Sequence, residues 1–402
     1  MIKNIYKLLF FLLLISYIFT YTLDYAGTFG VLKYLFTFSM LTYFFFYNVN
    51  KSLLKLLSFL LLPFVFMPLL LITFGYTRLL IQDQLINSIY YVIFFGLILV
   101  TTDLFDDLSE FCRHVQFSVL VSLGFLAIQY RDLTINFFTL LDNILTNTRV
   151  IRAYLGFINP NILALAALIG GLSSFYLILN DPKKRKLNWT FFIFTLFIIV
   201  NSGSRTSLFC ILLSIIFVFY YKYIIKISKS VRWMISLVIF ILFLFGAISY
   251  FNQNNLSVLQ SLDINTLTSG RWNNQISTFN YLRQLGYFYF GIGNLNSSSF
   301  YSEANNYALI LNTDNSPTYY IATIGIVGLI LILIFLGYLF IQLPKRSYFG
   351  KSLFLIWLST SMFEHTLIVP SSLFSLFFMS FILIVVKNSQ REGEENENRL
   401  DF

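Results

Sequence analysis

Apolar residues occur along this chain in blocks of about 15–25, parted by short polar breaks. Within a block they show neither the period of two of a strand nor one apolar stripe with a polar back. Blocks of that length, apolar on every side, are helices solvated by lipid. Transmembrane strands would be alternating segments of ~10 residues. The pattern predicts about twelve spans, at roughly 5–23, 29–48, 53–75, 86–101, 114–130, 161–180, 188–203, 205–224, 233–251, 317–341, 351–368 and 370–387. The seventh and eleventh are short or interrupted, so ten or eleven also fit. The first block follows Lys3 and Lys7 as in a signal peptide, but no small-x-small cleavage site follows and further spans come directly after, so it is expected to be retained.

The fold class is therefore an all-α polytopic integral membrane protein with one large external loop containing short helices. Residues 1–387 are expected to form a single transmembrane bundle, including the loop 252–316. The acidic, polar residues 388–402 are expected to be a disordered cytoplasmic tail. Composition agrees: 57% of residues are hydrophobic and 11% charged, against ~25% charged in soluble domains.

The net charge of +9 does not indicate nucleic acid here, because the lysines cluster in short connections and set topology. Lys3, Lys7, Lys51, Lys55, Lys183, Lys184, Lys186, Lys222, Lys226, Lys229 and Lys345 fall on one side, which the positive-inside rule makes cytoplasmic, together with both termini. The cations left on the outer side are Lys33, Arg78, Arg131, Arg149, Arg152, Arg205, Arg271 and Arg283, all arginines except Lys33. Arginine gives planar, bidentate contact with phosphate or carboxylate, whereas lysine suffices for topology. Cys112, Cys210, His114 and His365 form no disulfide or metal pattern. Asp103, Asp106, Asp107 and Glu110 read as a solvated cytoplasmic loop rather than a metal site.

One break stands out. Asn201-Ser202-Gly203-Ser204-Arg205-Thr206 separates two spans and puts an arginine at their mouth, a costly placement in a membrane. On the same side lie Arg149 and Arg152, Gly156-Phe-Ile-Asn159-Pro160-Asn161, and an amphipathic piece from Ile135 to Leu145 expected to lie at the interface. The large loop holds Ser269-Gly270-Arg271-Trp272, a helical pattern through Ile276, Phe279, Leu282 and Leu285, then Gly286…Gly291-Ile-Gly293, and closes on Asp314-Asn315-Ser316-Pro317. Snorkelling to headgroups accounts for Arg78, Arg131 and Arg283. Arg205 and Arg271 have glycine and serine beside them, which leaves the backbone open to close approach. Arginines and carboxylates (Asp263, Glu303, Asp314, Glu364) above a lipid-embedded bundle suit a substrate with an anionic head and a lipid tail.

From about residue 149 to 335 these pieces, in this order, resemble the O-antigen polymerase/ligase superfamily of bacterial membrane glycosyltransferases. They are Gly156–Asn161, Ser202–Thr206, Ser269–Arg271, Gly286…Gly293, and Asp314-Asn315 followed by Ala322…Gly325-Ile-Val-Gly328. The N-terminal third is similar only in hydrophobicity. Many relatives, the ligases among them, carry histidine where this chain has Asp314, and that departure favours a polymerase over a ligase. The resemblance implies a multi-pass protein of the bacterial cytoplasmic membrane that joins undecaprenyl-pyrophosphate-linked repeat units of O-antigen, capsule or exopolysaccharide, with lipid-linked donor and acceptor glycans. A flippase and a chain-length regulator are further implied partners, and no cofactor or metal is implied. Transfer of finished glycan to another acceptor is the alternative reading. A transporter is a third, although neither inverted repeats nor midplane charges are evident. Arg205, Arg271 and Asp314 are the implied catalytic residues, the arginines facing the leaving pyrophosphate and Asp314 the acceptor hydroxyl. Arg149, Arg152, Asn161, Ser204, Glu303 and Asn315 are the implied substrate-binding residues.

Overall fold

The computed structural model describes residues 2–76, 81–133, 152–222, 271–293, 315–344, 347–370 and 372–400. Among these the chain is helical, with an isolated bridge between Thr22 and Phe157 as its strand-like pairing. The helices are α1 (Ile2–Phe19), α2 (Ala26–Phe46), α3 (Lys51–Thr73), α4 (Ile81–Leu104), α5 (Leu108–Tyr130), α6 (Pro160–Asn180), α7 (Arg185–Ser202), α8 (Arg205–Lys222), α9 (Arg271–Gln284), α10 (Ser316–Gln342), α11 (Tyr348–Phe363) and α12 (Leu373–Leu400). Eight of the helical stretches are long and apolar enough to cross a membrane, and Arg205–Tyr220 is a shorter apolar one. The protein is thus all-α and polytopic. The expected span 233–251, the amphipathic piece 135–145 and most of the loop 252–316 lie outside the described residues.

The core runs through the centre of this bundle and is rich in aromatic rings. Phe10, Phe105, Phe111, Trp357, Phe377 and Phe378 are fully buried, and edge-to-face and stacked pairs such as Phe10 with Phe105 and Phe111 with Phe377 join helices distant in sequence. Their size fills the interhelical space, and quadrupole-matched geometry adds to the contact. α6 is largely enclosed, held by α5, α7 and α8.

Polar contacts gather at the two ends. At one end Lys7 pairs with Glu110 at 2.6 Å and Arg113 with Asp181 at 2.9 Å. There the buried Lys387 donates to the carbonyls of Thr102 at 2.6 Å and Phe105 at 2.9 Å, where α4 ends. A cation is favoured at such a terminus by its unpaired carbonyls. Asp103 accepts from Tyr43 at 2.8 Å, Asp106 meets Lys3 and Lys387, and Asp107 caps α5 through the Ser109 amide at 2.8 Å. Asp106 and Asp107 are exposed in the break between α4 and α5, as a solvated loop requires, while Lys3 and Lys387 reach Asp106 and Tyr43 reaches Asp103, which ties α1, α2 and α12 to this end.

At the opposite end lie Arg152 and Arg205. The α1–α2 connection pairs with residues 156–158 through Leu23 N–H to Gly156 O at 2.9 Å and Ile158 N–H to Tyr21 O at 3.0 Å. Asp132 accepts from the amides of Tyr154 at 2.8 Å and Leu155 at 2.9 Å. The segment 152–159 is therefore held from two sides.

Two helices depart from regularity. α3 carries Pro63 inside a π-helical turn, Leu62–Phe66, which accommodates the missing amide without ending the helix. α10 breaks at Gly325, with φ 71° and ψ 179°, a region essentially reserved for glycine. The gap is filled by residues 287–293 from the segment after α9. Ile292 N–H donates to Ala322 O at 2.8 Å and Gly293 N–H to Thr323 O at 2.8 Å; Ile326 N–H returns to Phe288 O at 3.1 Å and Val327 N–H to Tyr289 O at 3.2 Å. A Cβ on Gly325 would lie 2.1 Å from Tyr289 O, and one on Gly291 2.4 Å from the Thr323 carbonyl. Leu282 and Ile292 pack on Ile321 and Ala322, so α9 sits on α10 over this clasp. Irregular backbone at membrane depth needs such partners, because lipid offers none.

α12 is helical from Leu373 to Leu400. Continuing an existing helix avoids the nucleation cost, and the tail's Glu, Gln and Arg are good helix formers.

Candidate functional site

The break between α7 and α8 is built by its sequence. Gly203 takes the left-handed conformation, φ 63° and ψ 24°, and its N–H returns to Val200 O at 3.0 Å, closing α7. Ser204 then precedes α8 as a cap, its Oγ 3.4 Å from the Ser207 amide. Ser204 is buried, whereas Arg205, at the first position of α8, is exposed.

Arg152 joins this break to α6. Its Nε donates to Ser202 O at 2.6 Å and its Nη2 to Asn161 Oδ1 at 2.7 Å. The Ala153 amide adds a bond to Asn201 O at 2.9 Å. One guanidinium thus satisfies a terminal carbonyl of α7 and fixes the side chain of Asn161. A lysine has one nitrogen and could not form both bonds in that geometry.

Asn161 extends the network. Asn159 Oδ1 caps α6 through the Asn161 amide at 2.8 Å, and Pro160 occupies the first turn, where its missing N–H costs nothing. Asn161 Nδ2 donates to Glu364 Oε1 at 3.3 Å. The Glu364 carbonyl accepts from Ser316 Oγ at 3.3 Å, and Ser316 Oγ in turn accepts from the amides of Thr366 and Leu367, each at 3.1 Å. Asn315 caps α10, its Oδ1 accepting from Thr318 N–H at 2.9 Å. The ends of α6, α7, α10 and α11 are therefore tied into one polar platform beside Arg205.

Of the residues singled out from the sequence, Arg152, Asn161, Ser204, Arg205 and Asn315 stand at this one end. Arg271 is the first residue of α9, the helix seated on α10. Arg149, Glu303 and Asp314 lie outside the described residues, although Asp314 directly precedes the cap Asn315. Among the described residues, no three His, Cys, Asp or Glu side chains gather as a metal site would require.

Two residues were not singled out as site residues. Glu364 follows α11, some 200 residues from Asn161, and only the fold brings them together. His365 packs on Tyr319 with ring centroids 3.7 Å apart and the rings tilted by 34°, and its Nε2 is buried without a hydrogen-bond partner among the described residues. Burial pushes its pKa down to about 3, so the imidazole is neutral at ordinary pH. The only signal in the sequence was a histidine next to a glutamate at a span boundary.

Chemically, the platform presents an exposed arginine at a helix N-terminus, where amides and dipole both favour negative charge. Hydroxyl, amide and carboxylate groups beside it suit a ligand that is anionic at one point and rich in hydroxyls at another. Comparison with known families matches residues 190–333 to the family described as O-antigen ligase. That stretch runs from α7 through the break and α9 to beyond the Gly325 kink. No curated protein matches the chain.

Proposed function

We propose that the chain, a member of the O-antigen polymerase/ligase superfamily with a role in membrane glycan processing, is a polymerase of undecaprenyl-pyrophosphate-linked repeat units. The observation that carries the reading is the break at Arg205, locked to α6 by Arg152 and lying within the matched residues. In the proposed reaction a hydroxyl of the acceptor sugar attacks the anomeric carbon of the donor glycan. The new glycosidic C–O bond forms as the bond to pyrophosphate breaks, and undecaprenyl pyrophosphate departs. Its charge is met by Arg205 and Arg271, with Arg149 assisting. Fixed cations at the leaving group lower the barrier because they need no reorganisation as charge develops. Asp314 takes the hydroxyl proton, with Glu303 as the second candidate. Asn161, Ser204 and Asn315 orient sugar hydroxyls and the loops that carry the arginines, and Arg152 acts by holding Asn161 and Ser202 in place. The lysine-bearing end of the bundle faces the cytoplasm in this reading, which puts the platform at the outer face of the cytoplasmic membrane.

Arg205→Ala and Arg271→Ala, in protein shown to insert normally, are expected to abolish long-chain glycan. Normal chain lengths in both variants would overturn the proposal. The family's description favours a second reading, transfer of finished glycan to another acceptor. Deleting the gene separates the two: accumulation of single lipid-linked repeat units supports the polymerase, and accumulation of full-length lipid-linked polymer supports the ligase.

A further inference from the structure

A cavity lies apart from the arginine platform, behind the loop that follows α11. Its volume is about 360 Å³, within the ~300–1,000 Å³ common for ligand sites. Its lining includes Lys33, Tyr17, Tyr34, Tyr90, Tyr319 and His365. The same loop serves both places: Glu364 faces Asn161 of the platform, whereas the next residue, His365, lines the cavity.

Lys33 lies about two turns into α2, ~10 Å from its start at 1.5 Å per residue. The Cα–Cβ bond of a helical residue leans toward the helix N-terminus, here the end that carries the platform. Its residue is only 8% exposed, so it does not reach out to headgroups along the helix surface as a snorkelling lysine does. It lies over the faces of Tyr34 at 4.9 Å and Tyr17 at 5.4 Å. The described lining contains no carboxylate to neutralise it. An ionisable side chain in that position marks a functional site by default. His365 gives an independent sign, since its buried Nε2 lacks a partner among the described residues.

Access is lateral. Tyr34 of α2 and Tyr90 of α4 stack with centroids 6.1 Å apart at the cavity's rim, and they are 42% and 37% exposed. Leu97 and Phe94 supply apolar wall below, suited to the start of a hydrocarbon chain.

We propose that this cavity binds the phosphate headgroup of a membrane lipid entering between α2 and α4, with Lys33 as counter-ion and His365 and the tyrosine hydroxyls as hydrogen-bonding groups. The site does not depend on the glycan chemistry proposed above, and it serves either an ordinary anionic phospholipid or a polyprenyl phosphate.

The test uses the purified full chain in nanodiscs, with native mass spectrometry reading retained lipid and titration giving affinity. The probes are phosphatidylglycerol, a polyprenyl phosphate and inorganic phosphate. Wild-type protein is expected to retain a phosphate-bearing lipid. Affinity is expected to fall about tenfold or more in Lys33→Met, consistent with losing a charge-assisted contact, and to recover in Lys33→Arg. Ile93→Trp, which fills the cavity and leaves Lys33 in place, is expected to weaken binding as well and keeps the test valid should Lys33→Met fail to fold. Tighter binding of polyprenyl phosphate supports the site and assigns it to a carrier lipid, and tighter binding of phosphatidylglycerol supports it as a bulk-lipid site. Equal affinity in wild type, Lys33→Met and Ile93→Trp overturns the proposal, as does binding of inorganic phosphate alone. Repeating the titration in Arg205→Ala protein keeps this result separate from the fate of the polymerase reading.

Discussion

Arg152→Lys tests whether the platform is held by a forked guanidinium. The charge is kept, but the bonds of Nε to Ser202 O (2.6 Å) and Nη2 to Asn161 Oδ1 (2.7 Å) cannot both be made by a single ammonium. Losing one hydrogen bond from a charged donor costs about 1.5–3 kcal/mol, which corresponds to ~10- to 150-fold in a local opening equilibrium. The reporter is the Ala153 amide, bonded to Asn201 O at 2.9 Å and 3% exposed. Hydrogen exchange by mass spectrometry on the full chain in nanodiscs reads that opening directly. Exchange at Ala153 and Gly203 is expected to quicken about tenfold to a hundredfold, while Ala167 in the middle of α6 stays unchanged. Arg185→Lys, exposed at the opposite end, serves as the control. An unchanged Ala153 rate in Arg152→Lys would refute the claim that the fork holds the break in place.

Gly325→Ala places a Cβ 2.1 Å from Tyr289 O at φ 71°, a conformation costing a non-glycine residue about 1–3 kcal/mol. Faster exchange at Ile326 and Val327 and new protease cleavage within 286–293 are expected, and an unaltered pattern would count against the clasp. Lys387→Met strips donors from the Thr102 and Phe105 carbonyls; a loss of about 2–4 kcal/mol in chemical unfolding is expected, and a change under ~0.5 kcal/mol would contradict the capping role. His365 has its folded pKa held below the free value of 6.5 by burial, so the opened loop binds more protons than the closed one below pH 6.5. Stability of the loop 364–370 is therefore full above that pH and falls as pH drops toward 3, by at most about 1.4 kcal/mol per unit. His365→Gln should flatten the dependence between pH 7 and 5; an equally steep profile in the variant would assign it elsewhere.

The spans were legible because lipid forces a simple solution, an apolar helix long enough to cross. The break at 201–206 was legible for the opposite reason, since Gly203 and its polar neighbours cannot continue such a helix. Pro160 and Pro317, which suit the first turn of a helix, also mark where α6 and α10 begin. The contacts that join these pieces were not legible. Nothing local to Asn161 points to Glu364, and nothing near Arg152 names Ser202 as its acceptor. Lys33 read as a topological exception because burial depends on α1, α4 and the loop after α11 together. The kink at Gly325 was hidden for a further reason: α10 is apolar on every side, so periodicity carries no mark where the helix is interrupted, and the glycines around it read only as a motif.

The clasp in α10 has a consequence for how the protein is made. Its 27 residues, Ser316–Gln342, have the highest hydropathy of the candidate spans, and such a segment enters the bilayer readily as an unbroken helix with its backbone satisfied. The break at Gly325 is affordable only once residues 287–293 have docked against it, and those residues emerge from the ribosome first. Crossing the membrane and completing the platform end are thus separate events, divided by the docking of one short peptide segment. A chain with a damaged clasp would reach the membrane in normal amount and correct orientation, yet never mature.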